Sequence, residues 1–224
     1  MSVNVFHYRR NLPHIHPQGA VFFLTFRLAG SIPLNALEKM RSERLLEEKS
    51  LARRYQGTAL HAELYKAQKR HFARYDKWLD SGAHGPVWLR DARVANEVTK
   101  EIKRLHGERY CLFSYCIMPN HVHLLVDTAD FGDVILSDQP EKPGQSSLRE
   151  TMRLIKGRSA RSANRILQRS GRFWQDESYD HFVRDEHELE NIIRYILYNP
   201  VVAGLAKNWQ DWPFTYLSQE MGDW

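Results

Sequence analysis

With 224 residues, 42% of them hydrophobic and 26% charged, the chain can fill a sizeable core and still cover it with polar surface. It reads as a soluble globular protein, one domain (1–224) with a helical insertion. The longest apolar run, Ala20 to Leu24, has five residues against the roughly 20 of a membrane-spanning helix, which excludes such a helix. Met1 to Asn11 holds Tyr8, Arg9 and Arg10 but no apolar segment of a secretory leader, so the cytoplasm is the expected compartment. A net charge of +5, from 32 basic and 27 acidic residues, names no partner by itself.

In chain order, Ala20 to Leu28 (AVFFLTFRL) is predicted to be a buried strand. Asn35 to about Asp80 is rich in Glu, Lys, Arg, Leu and Ala and is broken at Gly57; it predicts a helical pair, with Asn35 as N-cap. A loop spans Ser81 to Pro86, and Asp91 to His106 predicts a helix whose Val94, Val98, Ile102 and Leu105 face the core. Arg109 to Met118 and His121 to Val126 are strands joined by the turn Pro119-Asn120. Cys111 and Cys116, about 16 Å apart along the first of these strands, cannot meet the roughly 7 Å limit of a disulfide and are free thiols. A polar, acidic loop covers Asp127 to Ser147. A basic helix follows, then a strand candidate at Phe173 to Val183. Glu186 to Tyr198 is a helix ended by Pro200, and the tail from Asn208 folds back on the body. The order of elements is that of an α+β, ferredoxin-like fold with an antiparallel sheet, the helical insertion at about 37–80 and an added C-terminal helix.

His121 and His123 flank Val122. In a strand they project to one side with α-carbons about 6.6 Å apart, a chelating pair or simply a polar strand face. Tyr195 and Asn199 lie one helical turn apart, so a phenol and a carboxamide share a face. The amide oxygen is a fit third ligand for a hard divalent cation, and the phenol a nucleophile toward a phosphodiester that the cation polarises; a core tyrosine is the plain alternative. Tyr198 is the competing nucleophile but points about 100° away. A second triplet, His14-Ile15-His16, lies between Pro13 and Pro17 in a non-strand setting and is set aside as a metal site.

These motifs resemble a known family. MPNHVHLLV, Met118 to Val126, is similar to the HUH motif (His, hydrophobic, His) of single-tyrosine transposases. YILYNPVVAGL, Tyr195 to Leu205, is similar to the tyrosine-helix motif of the REP-associated tyrosine transposases. Their order and spacing match the family, and asparagine rather than glutamine four residues after the tyrosine favours the REP-associated branch over the insertion-sequence branch. The resemblance implies a metal-dependent single-strand DNA endonuclease and strand transferase acting beside palindromic hairpins. His121, His123 and Asn199 would hold Mg²⁺ or Mn²⁺, and Tyr195 would form a 5′-phosphotyrosine link. It also implies a cytoplasmic, nucleoid-associated protein, with a monomer favoured. A DNA- or RNA-binding regulator that keeps the fold without cleavage is the other class, and a hydrolase with a merely structural Tyr195 the third.

From Thr151 to Arg172 there are seven basic residues and no acidic one, more net charge than the whole chain carries. Arg158, Arg161, Arg165, Arg169 and Arg172 fall on one helical stripe; with Lys156 they form the expected DNA-binding face, because unneutralised cations at this density repel one another. Arg9 and Arg10 are expected, by the resemblance, to form an arm that reads nucleotides flanking the hairpin. Trp174 and His181 are placed either against unpaired bases or in the core.

Overall fold

A computed structural model of the chain describes residues 6–9, 13–16, 20–82, 84–131, 148–222 and 224. Two short strands, β1 (Phe6–Arg9) and β2 (Pro13–His16), pair antiparallel as a sheet of their own. The second triplet, His14 and His16, therefore lies in a strand, opposite Tyr8 and Phe6, and the non-strand setting expected for it is corrected. Arg9 ends β1, while Arg10 and residues 132–147 of the acidic loop lie outside the described residues.

The main sheet begins with β3 (Val21–Arg27). The helices α1 (Leu34–Arg54), α2 (Gly57–Asp80) and α3 (Ala92–Arg104) lead from it to β4 (Cys111–Ile117). A tight turn gives β5 (His121–Asp127), then α4 (Leu148–Ile166), β6 (Tyr179–Phe182), α5 (Glu186–Val202) and β7 (Thr215–Leu217) follow. The strand order is β6-β3-β5-β4-β7 and every pairing is antiparallel. Around β3-α3-β4 and β5-α4-β6 this is the doubled split β-α-β arrangement of the expected α+β, ferredoxin-like class. The pair α1 and α2 sits in the connection between β3 and α3.

Strand alternation divides the sheet into two faces. Phe22, Leu24 and Phe26 of β3 and Val122, Leu124 and Val126 of β5 pack beneath Val94, Val98 and Ile102 of α3 and Ile155 and Ala163 of α4. On the other face Phe23, Phe113, Cys116 and Leu125 meet Ile193, Ile196 and Leu197 of α5. Each such side chain, fully buried, contributes about 1.5–3 kcal/mol. The same alternation puts Thr25, His121 and His123 on the α5 side. Phe72 carries α2 onto that side, stacking on Tyr179 at 4.1 Å and edge-on to Phe23 at 5.5 Å. Cys111 and Cys116 form no disulfide, as expected.

Several boundaries differ from expectation for local reasons. Helix α5 continues through Pro200 to Val202 and is closed by the turn at Gly204, whose φ of +70° only glycine adopts cheaply. There the Leu205 N–H donates to Pro200 O at 2.8 Å and the Gly204 N–H to Val201 O at 3.0 Å, the paired bonds of a Schellman cap. Helix α4 stops at Ile166 in a similar turn, with Gln168 at φ +51° and the Arg169 N–H on Asn164 O at 2.9 Å. Arg169 and Arg172 therefore lie beyond the helix, and the five-arginine helical stripe is cut to three. Helix α1 starts at Leu34 with Pro33 at the cap position, so Asn35 is inside it. The strand expected over Phe173 to Val183 shrinks to β6 plus a single bridge between Leu28 and Trp174. The tail folds back as β7 on the free edge of β4. Among the described residues no helix is long and apolar enough to cross a membrane.

Candidate active site

Two elements far apart in the chain, β5 and α5, converge on the α5 face of the sheet. His121 and His123 are both fully buried on β5, with their Nε2 atoms 2.9 Å apart. Tyr195 and Asn199 of α5 reach down to them: Tyr195 Oη and Asn199 Nδ2 each stand 3.4 Å from His123 Nε2. The Tyr195 and His123 rings meet edge to face at 5.1 Å, and Phe23 lies flat against His123 at 5.7 Å. Tyr198 is 43% exposed and stands outside this group.

A third element joins them. Asp76, on α2 and 4% exposed, accepts a hydrogen bond from Tyr195 Oη through Oδ2, while its Oδ1 lies 3.6 Å from His123 Nε2. One turn on, Asp80 Oδ1 is 3.7 Å from His121 Nε2. Sequence reasoning missed both aspartates. They sit in a run of charged helix, and only the tertiary contact of α2 with the sheet distinguishes them from solvated neighbours; their four-residue spacing was the available signal.

The electrostatics follow from burial. Loss of water pushes His121 down to about 3 and, with its neighbour's help, His123 well below the ordinary imidazole value, so both rings are neutral. Burial, followed by repulsion from Asp80, raises Asp76 to about 7; burial raises Asp80 to about 6. Burial and then the Asp76 charge hold the Tyr195 phenol far above its ordinary value. The site thus keeps two carboxylates and a phenol under strain of charge, with no cation among the described residues paired to Asp76.

The donor set fits a divalent ion. Asn120 Oδ1, 2.7 Å from His121 Nδ1, is an acceptor, so His121 carries its proton on Nδ1 and turns the Nε2 lone pair inward. Thr25 Oγ1 sits 2.8 Å from His123 Nδ1 and, as a hydroxyl, either donates or accepts, which lets His123 release its Nε2 proton when it ligates. The 2.9 Å between the nitrogens is close to the edge of an octahedron with bonds of about 2.1 Å. Asp76, His121 and His123 offer ligand atoms within 4.8 Å of one another. The buried oxygens Asp76 Oδ1 and Asn199 Oδ1 have no hydrogen-bond partner.

The basic residues are not brought to this cluster. Helix α4 packs on the opposite face of the sheet. Arg158, Arg161 and Arg165 are exposed along it, with Arg158 3.9 Å from Glu101. Arg169 stacks on Trp88 at 3.8 Å, and Arg172 pairs with Asp176 at 3.0 Å. Lys156 is turned inward onto Asp176 O at 2.9 Å and Ser178 Oγ at 3.1 Å; burial lowers it to about 8. Trp174 belongs to the core, edge-on to Phe26 at 4.8 Å with its indole N–H on Ser159 Oγ. His181 is buried against Glu188 at 3.1 Å.

No protein-family model matches the chain. Among solved structures, a REP-associated tyrosine transposase bound to a REP hairpin is similar over 93% of this chain and 80% of its own, at 16% identity and a TM-score of 0.48. A protein of Haemophilus influenzae named "Putative REP-associated tyrosine transposase" is 29% identical over 106 residues, which are 47% of this chain. The match spans 58% of that relative's length. The family that the two motifs resemble is thus the one named for this relative: the chain is similar in sequence to a REP-associated tyrosine transposase.

Proposed function

We propose that this protein is a metal-dependent single-strand DNA endonuclease and strand transferase of the REP-associated tyrosine transposase kind, which binds palindromic hairpin DNA and cuts beside it through Tyr195. The observation that carries the reading is the meeting of Tyr195 Oη and Asn199 on His123 Nε2, with the second histidine 2.9 Å away. A phenol beside three ligand-type side chains in a largely buried cluster suits phosphoryl transfer better than packing, since packing alone needs no such polar convergence.

His121, His123 and Asn199 would hold a divalent ion, Mg²⁺ or Mn²⁺, and the chemistry it would supply is that of a Lewis acid toward the scissile phosphate. Tyr195 Oη attacks phosphorus and forms a 5′-phosphotyrosine ester; the bond from phosphorus to the 3′-oxygen breaks, and that oxygen takes a proton from solvent and leaves as a hydroxyl. The proton lost by the phenol is released beside Asp76, which already accepts its hydrogen bond. One phosphodiester is exchanged for another, so attack by a 3′-hydroxyl on the tyrosyl ester rejoins strands with no nucleotide cofactor. Exposed Arg158, Arg161 and Arg165 hold the DNA backbone, with Arg9, Arg10, Lys156 and Arg169 as the remaining contacts proposed from the sequence.

The test is to incubate the protein, Mn²⁺ and end-labelled hairpin DNA carrying single-stranded flanks, and to look for an adduct that survives denaturation. Wild type forms it and Tyr195→Phe does not. An adduct in Tyr195→Phe would remove the nucleophile assignment, cleavage without any adduct would make the protein a hydrolase, and binding without cleavage would make it a regulator.

A further inference from the structure

We infer that Asp76, delivered by the helical pair between β3 and α3, is an additional protein ligand of the metal centre and joins it to the nucleophile, Oδ1 to the ion and Oδ2 to Tyr195. The inference rests on the metal-dependent function proposed for the site and assigns a catalytic role to α2, which neither the HUH motif nor the tyrosine helix contains.

Three observations carry it. Asp76 is 4% exposed, and its Oδ1, aimed at His123 Nε2 from 3.6 Å, has no hydrogen-bond partner. No lysine or arginine of the described residues pairs with it, and an oxygen so placed, buried beside two imidazole nitrogens, is one that a bound cation would satisfy. The second observation is the match of repeats. Four residues of helix advance about 6 Å and two of strand about 6.6 Å, so Asp76 and Asp80 of α2 lie opposite His123 and His121 in turn. The measured approaches, 3.6 and 3.7 Å, are nearly equal. The third is that the other oxygen of Asp76 is already engaged by Tyr195, which fixes the carboxylate's rotation so that Oδ1 faces the histidines.

Two neutral imidazoles and an amide oxygen form a weak, unselective set for a hard cation. A carboxylate raises affinity for Mn²⁺ and Mg²⁺. Because the same carboxylate holds the phenol, ion and nucleophile are set in one frame before DNA arrives.

The experiment is Mn²⁺ binding to the DNA-free protein, followed by loss of the free-ion electron paramagnetic resonance signal, in wild type, Asp76→Asn, Asp76→Ala and His123→Ala. Circular dichroism checks that each variant folds, and the nearly isosteric Asp76→Asn serves if Asp76→Ala does not. Both Asp76 variants are expected to raise Kd by about tenfold or more, approaching His123→Ala. Wild-type Kd in both, with weakened binding in His123→Ala, overturns the assignment and leaves the nuclease reading intact. Wild-type Kd in His123→Ala as well overturns both the assignment and the metal centre. Weakened Mn²⁺ binding in the Asp76 variants, in a protein that forms no adduct with any hairpin, supports the assignment and removes the nuclease reading.

Discussion

At the scale of single residues, the site is built from groups whose titration burial displaces, and Asp76 is the one that a nearly isosteric substitution isolates. Its carboxyl is raised to about 7 by burial and by Asp80, against about 3.9 in an unfolded chain. An acid with a raised folded value binds more protons in the native state, so its stabilising effect is full below about pH 4 and is lost as pH rises through about 7. The histidines act in the opposite sense: depressed by burial, they cost stability as pH falls below about 6.5. Comparing wild type with Asp76→Asn isolates the aspartate. In metal-free protein the variant is expected to melt at the same temperature as wild type near pH 4 and higher at pH 8. The gap is read by circular dichroism at roughly 2–4 °C per kcal/mol regained. A gap that does not widen with pH would remove the charge penalty. The histidine pair, Tyr195 and Asn199 were legible as candidates because strand and helix periods put each pair on one face within a short stretch of sequence. Asp76 was not, because its four-residue spacing from Asp80 in GTALHAELYKAQKRHFARYDKWLD puts two acids on one face without saying whether that face meets the sheet or water.

At the scale of elements, what holds Asp76 in place is the seating of α2 on α5, which a second buried acid secures. Glu188 accepts hydrogen bonds from Tyr65 and from the Arg184 N–H at 3.0 Å, and meets Lys69 at 2.7 Å and His181 at 3.1 Å. Burial alone would raise its carboxyl, but the bonds from His181, Lys69 and Tyr65 outweigh that and hold it well below the usual carboxylate range. A depressed acid stabilises the fold above about pH 4.3 and loses that contribution as pH falls further. Glu188→Gln is therefore expected to cost about 1–3 kcal/mol near neutrality and little in acid. The loss should appear in hydrogen exchange as faster opening of Gly57–Asp80 with β3 and β5 still protected; equal loosening of the sheet would contradict a local clasp. The other end of α5 depends on its backbone turn. Gly204→Ala, forced into φ +70°, should destabilise by about 1 kcal/mol and fray the turn that carries Asn199, read as a lower melting temperature. Here the sequence misled: proline is a good sign of a helix end, yet the Schellman bonds at Gly204 and Leu205 terminate this helix, and Pro200 fits inside its last turn.

At the scale of the molecule, the sheet separates two jobs. The order of the longer elements followed from helical periodicity and, because both faces of the sheet are buried, from continuous apolar runs bounded by turn residues. Short strands such as β1, β2 and β7 carry too few residues to do so, and where the arginines lie relative to the site depends on packing that no local pattern encodes. They ride on α4 over one face, while the histidines, Tyr195 and Asp76 lie on the other. DNA that touches both must turn around the sheet, so affinity and chemistry should be separable. Neutralising Arg158, Arg161 and Arg165 together is expected to flatten the dependence of log K on log salt by about 0.7–0.9 for each phosphate that the protein no longer neutralises. The same variant should bind Mn²⁺ as wild type does and, at saturating hairpin, still form the tyrosyl adduct, because no residue of the metal cluster touches α4. An unchanged salt slope would take this helix out of the DNA interface. Absence of the adduct at saturation would mean that the arginines position the scissile phosphate as well as hold the strand.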